Sequence, residues 1–260
     1  FFFGQELENI EGKWSYQPYH LTIEKARAKS KGTDLMVDAD FQLTYTKNLP
    51  HLKSFARLSW THLPSRELLA LLPYSFRLPL ENDLTSGDLK ISDFLGYENV
   101  AENMTMEGLI LSENGTVRIY NNPVAYNKIE LPVKWEKGIL QVRRGHFIAM
   151  DGQWIGVGKI RYDWNRKQVH ATAFFALPLT ALPIITSSPL LQKIPGIDKE
   201  TSIIVVGYAL GSPGNLESGF LLPGKYLIRF SSTNPEKRLD ELWKQYNLSE
   251  WARKVSPSSE

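Results

Sequence analysis

Along most of the chain apolar and polar residues alternate, the two-residue period of a strand with one buried and one wet face. In LMVDADFQLTY, Val37, Ala39, Phe41, Leu43 and Tyr45 share one side, with polar residues between them. MEGLILSENGTVRIYNN sets Leu109 and Leu111 before Asn114-Gly115, and Val117 and Ile119 after it, which predicts a hairpin turning at Asn114-Gly115. KIELPVKWEKGILQV repeats the style around Lys137-Gly138. In GHFIAMDGQWIGVGKIRYDWNRKQVHATAFF, Asp151-Gly152 and Asn165-Arg166 mark two further turns. Pairing the strands about these turns places Ile160 and Tyr162 on one face with Val169, Ala171, Ala173 and Phe175. The same face continues through Gly158, Gly156 and Trp154 to Ala149 and Phe147. Its reverse carries Lys159, Arg161 and Asp163 with Gln168, His170 and Thr172, so an antiparallel meander with one greasy and one wet side is expected.

Helical spacing is rare. THLPSRELLALLP offers Ser65 as an N-cap, leucines at 68, 69, 71 and 72, and a stop at Pro73. PEKRLDELWKQYNLSEWARK, residues 235 to 254, has Pro235 in the first turn and Leu239, Leu242, Trp243 and Tyr246 on one side. Both read as docked amphipathic helices. A faint repeat links the halves of the chain. An ungapped offset of 119 lays residues 21–45 over 140–164, matching Leu21 to Leu140, Ile23 to Val142, Lys25 to Arg144, Phe41 to Ile160 and Tyr45 to Trp164. Identity is negligible and the pattern alone matches; as a true repeat it describes a sheet extended by similar units.

Ala171 to Gln192 runs without a charge, yet Pro178, Pro183 and Pro189 break it at intervals too short for a spanning helix. The whole chain of 260 residues is 42% apolar and 22% charged, an ordinary globular balance. Thirty basic against twenty-eight acidic side chains give +2, dispersed along the sequence, which offers no electrostatic case for nucleic acid. With no cysteine, disulfides and thiolate metal sites are excluded. The opening FFFGQELENIEGKW has neither an initiator Met nor a cleavage pattern, so a mature form or a piece of a longer protein is expected.

Candidate chemistry is sparse. No GxSxG elbow, HExxH, Walker loop or EF-hand loop appears. Gly156-Val157-Gly158 begins a GxGxxG whose last glycine is replaced by Arg161. Inside a strand those glycines more naturally relieve crowding opposite Phe147 and Phe175. Asp38 and Asp40 fall on the solvent side of their strand, and the five histidines lack ligand spacing. Asn103, Asn114 and Asn247 fit the glycosylation pattern, which matters only in a eukaryotic secretory protein.

One stretch carries a resemblance. Trp135 to Val142 is an "apolar-x-charged-Gly-x-Leu-x-Val" strand, Gly156 to Ile160 a strand rich in small residues, and Val169 to Pro178 a strand ending in proline. An LPL…LP…SPLL…IPG run follows, then a strand with Tyr208, Gly211 and Pro213. In this order the features resemble the C-terminal region of the AsmA-like family, envelope proteins of Gram-negative bacteria related to TamB and to bridge-like lipid-transfer proteins. The likeness covers residues 129–222; Gly211-Ser-Pro-Gly-Asn215 departs from the family's closing turn. It implies a mainly β fold, an antiparallel meander curled into a half-open apolar groove or sandwich, with two or three amphipathic helices. It also implies a division into a β-rich portion 1–128, a β module 129–222 with a Pro-rich segment 177–196, and a C-terminal strand and helix in 223–260.

By the same resemblance the protein is non-enzymatic and without cofactor. It takes phospholipid or another acyl-chain lipid, works in the periplasm or cell envelope, and meets a membrane surface or envelope partners. A segment outside this chain would supply any membrane anchor. Phe147, Ala149, Trp154, Ile160, Tyr162, Val169, Ala173 and Phe175 are the expected lipid-binding residues. The residues leave other readings open: a structural or assembly module whose closed β core binds a partner protein, a lipocalin-like carrier of one small ligand, or an enzyme without a recognisable motif.

Overall fold

A computed structural model describes residues 8–30, 33–46, 49–64, 80–81, 84–95, 100–119, 122–149, 152, 154–179, 201–212, 215–223 and 225–245. Among them the elements in chain order are β1 (Glu8–Gln17), β2 (His20–Ser30), β3 (Thr33–Thr46), β4 (Leu49–Pro64), β5 (Leu80–Glu81), β6 (Leu84–Ser92), α1 (Val100–Asn103), β7 (Thr105–Ile119), β8 (Asn122–Glu136), β9 (Ile139–Ala149), β10 (Ile155–Asp163), β11 (Gln168–Pro178), β12 (Thr201–Ser212), β13 (Asn215–Leu221), β14 (Leu227–Arg229) and α2 (Pro235–Gln245). The strands form one antiparallel sheet of 14. Its main path runs β1-β2-β3-β4-β6-β7-β8-β9-β10-β11-β12-β13, while β5 pairs with β7 and β14 with β12. Most strands along this path pair with the next strand in sequence, and where the connection is short it forces an antiparallel hairpin. The fold is thus the antiparallel meander expected from the pattern, mainly β and curled as the resemblance implies. Among the described residues β1 and β13 do not pair, so the sheet is open rather than a lipocalin-like closed barrel.

What curls the sheet is a set of β-bulges. The ladder slips between Ile23 and Ala26, between Trp60 and Leu63, between Glu130 and Val133, and between Gly158 and Ile160. An extra residue on one strand of a pair bends that strand and sharpens its twist. On the inner face so formed, Leu35, Leu58, Trp60, Leu89, Val133 and Val142 join one apolar cluster that reaches Ile160. Residues 128 and 129, on either side of an expected boundary, both lie within β8, and the sheet runs through them.

The predicted pairing about residues 164–167 is realised: Ile160 faces Ala171, Tyr162 faces Val169, and Gly156 faces Phe175. Lys137-Gly138 is a tight turn with both residues at positive φ. Asn114-Gly115 is not a turn. β7 continues through it, with Asn114 at φ 54° and Gly115 opposite Tyr126, and the strand reverses only after Ile119. Tertiary pairing with β8 overrides the local turn preference there. The helix expected from Ser65, and the part of the C-terminal helix around Tyr246, lie outside the described residues.

A second correction concerns the reverse of the meander. Lys159, Arg161, Asp163, Gln168 and His170 do occupy its turn end. At the other end of the same strands the reverse is apolar: Ile148, Ile155, Val157, Phe174, Ala176, Ile204 and Val206 pack with Ile228, Phe230 and α2. The alternation around Lys159 does not reveal this, because the outer face changes character halfway along the strands. α2 begins where Asn234 Oδ1 accepts the Glu236 and Lys237 amides, with Pro235 in the first turn. Leu239 and Leu242 are fully buried against the sheet, and Trp243 packs beside them. Arg144 pairs with Asp240, Lys128 reaches Glu236 at 3.2 Å, and the Arg238 guanidinium lies 4.5 Å from the Phe230 ring centre.

The repeat proves to be structural, and it extends beyond the matched segment. Gln17↔His20, Tyr16↔Leu21, Trp14↔Ile23 and Glu11↔Arg27 in β1–β2 have their counterparts in Glu136↔Ile139, Trp135↔Leu140, Val133↔Val142 and Glu130↔His146 in β8–β9, each at the same offset. Tyr19 at φ 69° stands where Gly138 stands at φ 72°. The second strand then slips by two residues: Phe41 pairs with Leu21, whereas Tyr162 pairs with Leu140. The longer β9–β10 connection accounts for the slip.

Two outcomes test this packing. Leu242→Ala empties a fully buried site and should cost about 2–5 kcal/mol in denaturant unfolding. His146 sits on the outer face with its ring Nε2 buried and without a hydrogen-bond partner. Burial, and then the neighbouring Arg144 charge, hold its pKa below the usual histidine value; Lys128 adds to this, while Glu130 and Glu236 oppose it. The folded state therefore prefers neutral imidazole. Stability is complete above the unfolded value of about 6.5 and is lost as pH falls through the lower folded value. His146→Gln should remove part of the decline in melting temperature between neutral pH and about pH 5; an unchanged decline would place its source elsewhere.

Candidate functional site

Four adjacent strands present very small residues at one level of the inner face. Gly145 on β9 lies opposite Gly158 on β10, Gly158 opposite Ala173 on β11, and Ala173 opposite Gly207 on β12. The absence of side-chain bulk along this row cuts a trench across the strands, about 14 Å long for three interstrand spacings of ~4.8 Å. One wall is aromatic: Phe147 and Phe175 stand edge-to-face across Gly156, their centroids 6.3 Å apart. The other wall is aliphatic, from Val142, Ile160 and Ala171. Leu131 on β8 and Phe220 on β13 stand at its two ends. The open hollow so bounded measures about 470 Å³, within the usual range for a small-molecule site.

At Gly156 and Gly207 glycine is sterically required for this shape. A Cβ on Gly156 would stand 2.8 Å from Phe175 Cδ1, and one on Gly207 would fall 3.0 Å from Phe220 Cε1 and 3.1 Å from Phe175 Cε2. Beyond the aromatic wall a second apolar hollow of about 280 Å³ continues between Trp154, Leu177 and Val205. Towards the turns the space is closed. Tyr162 packs on Trp164 at 6.3 Å, Trp164 on Trp135 at 5.6 Å, and Trp135 Nε1 donates to Ala101 O of α1 at 2.7 Å.

Polar groups on the inner face satisfy one another. Trp60 Nε1 donates to Thr85 Oγ1 at 3.1 Å, and Thr85 donates to Leu63 O at 2.8 Å. Ser112 Oγ lies 2.7 Å from the Tyr126 hydroxyl. An apolar guest therefore leaves none of these donors stranded. The ionic groups sit on the outside: Lys159 lies 5.3 Å from the Trp243 ring centre, and Arg57 and Asp88 hydrogen-bond each other, which raises the guanidinium pKa and lowers the carboxyl. Among the described residues no group of three or more His, Cys, Asp or Glu side chains is placed to hold a metal ion.

Of the expected lining residues, Phe147, Ile160, Ala173 and Phe175 bound the trench, and Trp154 bounds the second hollow with Phe147 and Phe175. Ala149, Tyr162 and Val169 share the face but are fully packed, Tyr162 and Val169 at the closed end. Alternation did not reach Val142, because the bulge at residues 143–144 places Val142 and Phe147 on one face despite their odd separation. Leu131, Gly207 and Phe220 join the site through pairing across β8, β12 and β13, which alternation within 147–175 does not reach. The surest signal is the recurrence of glycine at 145, 156 and 158, with Gly156 opposite the Phe147 and Phe175 rings and Gly145 opposite Gly158. The Pro-rich segment beyond Leu179 lies outside the described residues up to Glu200. Comparison with family models, curated proteins and solved structures finds no match to this chain.

The glycine geometry separates two substitutions. Gly145→Ala meets only Leu131 Cδ2 at 3.1 Å and Val142 Cγ1 at 3.2 Å, flexible side-chain ends that can give. Gly156→Val drives into the Phe175 ring. Urea unfolding should show the first within about 1 kcal/mol of the parent and the second destabilised by about 1–3 kcal/mol.

Proposed function

We propose that this chain binds acyl-chain lipid along its inner face, as part of a non-enzymatic AsmA-like lipid-transfer or outer-membrane homeostasis protein of the cell envelope. The observation that carries this reading is the trench of Gly145, Gly158, Ala173 and Gly207 between an aromatic and an aliphatic wall. An acyl chain is long, narrow and without hydrogen-bonding groups, and a trench free of bulk and of unsatisfied donors suits it. Burial of its surface contributes roughly 25 cal/mol per Å², without directional preference, so a chain is held yet remains able to slide. The apolar inner face continues from the trench through Val142 and Val133 to Leu89 and Leu58, and this favours passage along the sheet over a single pocket. The likeness of residues 129–222 to the AsmA-like pattern favours the envelope setting, with phospholipid as the guest and a membrane surface or envelope protein as partner. Among the described residues no helix is long and apolar enough to cross a membrane.

The test is lipid mass spectrometry on protein purified from native membranes, with uptake of a fluorescent phospholipid analogue as a second readout. Ile160→Asp and Ala173→Asp each set a carboxylate in the trench and should lower occupancy at least about ten-fold, or ~1.4 kcal/mol. Both side chains are only half-buried, so the melting temperature should move by a few degrees. Arg161→Asp, on the outer face, should alter neither. Lipid-free protein that takes up no analogue would refute the proposal. Trench variants that fail to fold would favour the closed-core assembly module.

A further inference from the structure

We infer that the free edge of β1 is a docking edge for one more antiparallel β-strand, supplied by another polypeptide segment with apolar side chains at alternate positions. The argument rests on the repeat rather than on the trench. From Glu11 to Gln17, β1 is equivalent to β8 from Glu130 to Glu136, joined to β2 and β9 in the same register. On the inner face, Ile10, Gly12, Trp14 and Tyr16 of β1 correspond to Ile129, Leu131, Val133 and Trp135 of β8. In the second unit β7 lies along the far side of β8, with Ser112, Ile110, Gly108 and Met106 opposite those four residues. So flanked, Val133 and Trp135 are 7% and 4% exposed.

The first unit has no such neighbour among the described residues. Ile10, Trp14 and Tyr16 are 68%, 74% and 70% exposed, on a strand of ten residues that carries no proline. Natural sheets blunt a free edge with proline, a bulge or a very short strand, since unpaired amides and carbonyls invite pairing. β1 carries one such bulge, near Asn9 at φ 51°, where its ladder with β2 slips between Glu8 and Glu11, together with the charges of Glu8, Glu11 and Lys13. From Lys13 to Gln17 the ladder is regular and only Lys13 blunts the edge. A long strand with three large apolar residues bare on its inner side is the acceptor half of strand addition: the backbone ladder supplies affinity and alternate side chains supply register. The second unit shows what fills the position, namely a strand like β7.

The chain's own β7 segment serves as the probe. A fluorescein-labelled synthetic peptide of residues 104–113 is titrated into the full chain by anisotropy, and amide hydrogen exchange is followed across residues 8–17. Saturable binding with slowed exchange in 8–17 is expected. Trp14→Lys should weaken it at least ten-fold without changing the melting temperature, because Trp14 is already exposed; Lys13→Glu, on the opposite side of the strand, should stay within two-fold. Unchanged exchange at saturating peptide, or binding indifferent to Trp14→Lys, overturns the inference. Protection of 8–17 that rises with protein concentration in the absence of peptide also overturns it, and identifies a second copy as the occupant.

Discussion

A single layer of strands with one apolar face cannot stay flat in water. Without a second sheet to cover that face, the sheet lowers its exposed apolar area by bending over itself, and everything else in this molecule follows from that bend. Strand twist supplies part of the curvature, and the bulges in β2, β4, β8 and β9 concentrate the rest where the ladder slips. The inner face must then carry its few hydroxyls as mutually bonded pairs, as Ser112 and Tyr126 do, since no solvent reaches them.

The trench raises a difficulty that the helix resolves. Three glycines and an alanine abreast weaken a sheet, for lack of side chains to pack and for backbone entropy lost on folding. Those residues sit on β9 to β12, and it is the outer face of the same four strands that α2 covers. Ile148, Val157, Phe174 and Val206 lie one to three residues from Gly145, Gly158, Ala173 and Gly207, pointing the other way. Packing lost on the inside is regained behind it, and α2 acts as a splint. The aromatic wall contributes too, because Phe147 and Phe175 lean over Gly156 and cover backbone that a larger neighbour would have shielded.

Much of the fold was legible because hairpin topology makes neighbours in sequence neighbours in space. Ile160 against Ala171 and Tyr162 against Val169 followed from alternation and one turn. Legibility failed wherever a bulge changed parity, as between Val142 and Phe147, or where a strong local signal lost to pairing, as at Asn114-Gly115. It failed again on the outer face: Ile155 and Val157 lie in line with Lys159 and Arg161, and only α2, eighty residues away in the chain, distinguishes them. Half of the expected site residues meet at the trench. Tyr162 and Val169 were placed on the correct face, but nothing in a one-dimensional pattern says that Trp135 and Trp164 close that end.

An open sheet also differs from a barrel in what it costs to change girth. A barrel's circumference is set by strand number and shear, and widening it breaks a ladder. Among the described residues β1 and β13 are not tied to each other, and no hoop of hydrogen bonds runs round the groove there. The two lips can part or approach by small changes in twist shared among the eleven strand pairs between them, every one of them intact. The proposed acyl-chain guests would then meet a sheet that yields by flexure, stiffest at the splinted strands β9 to β12.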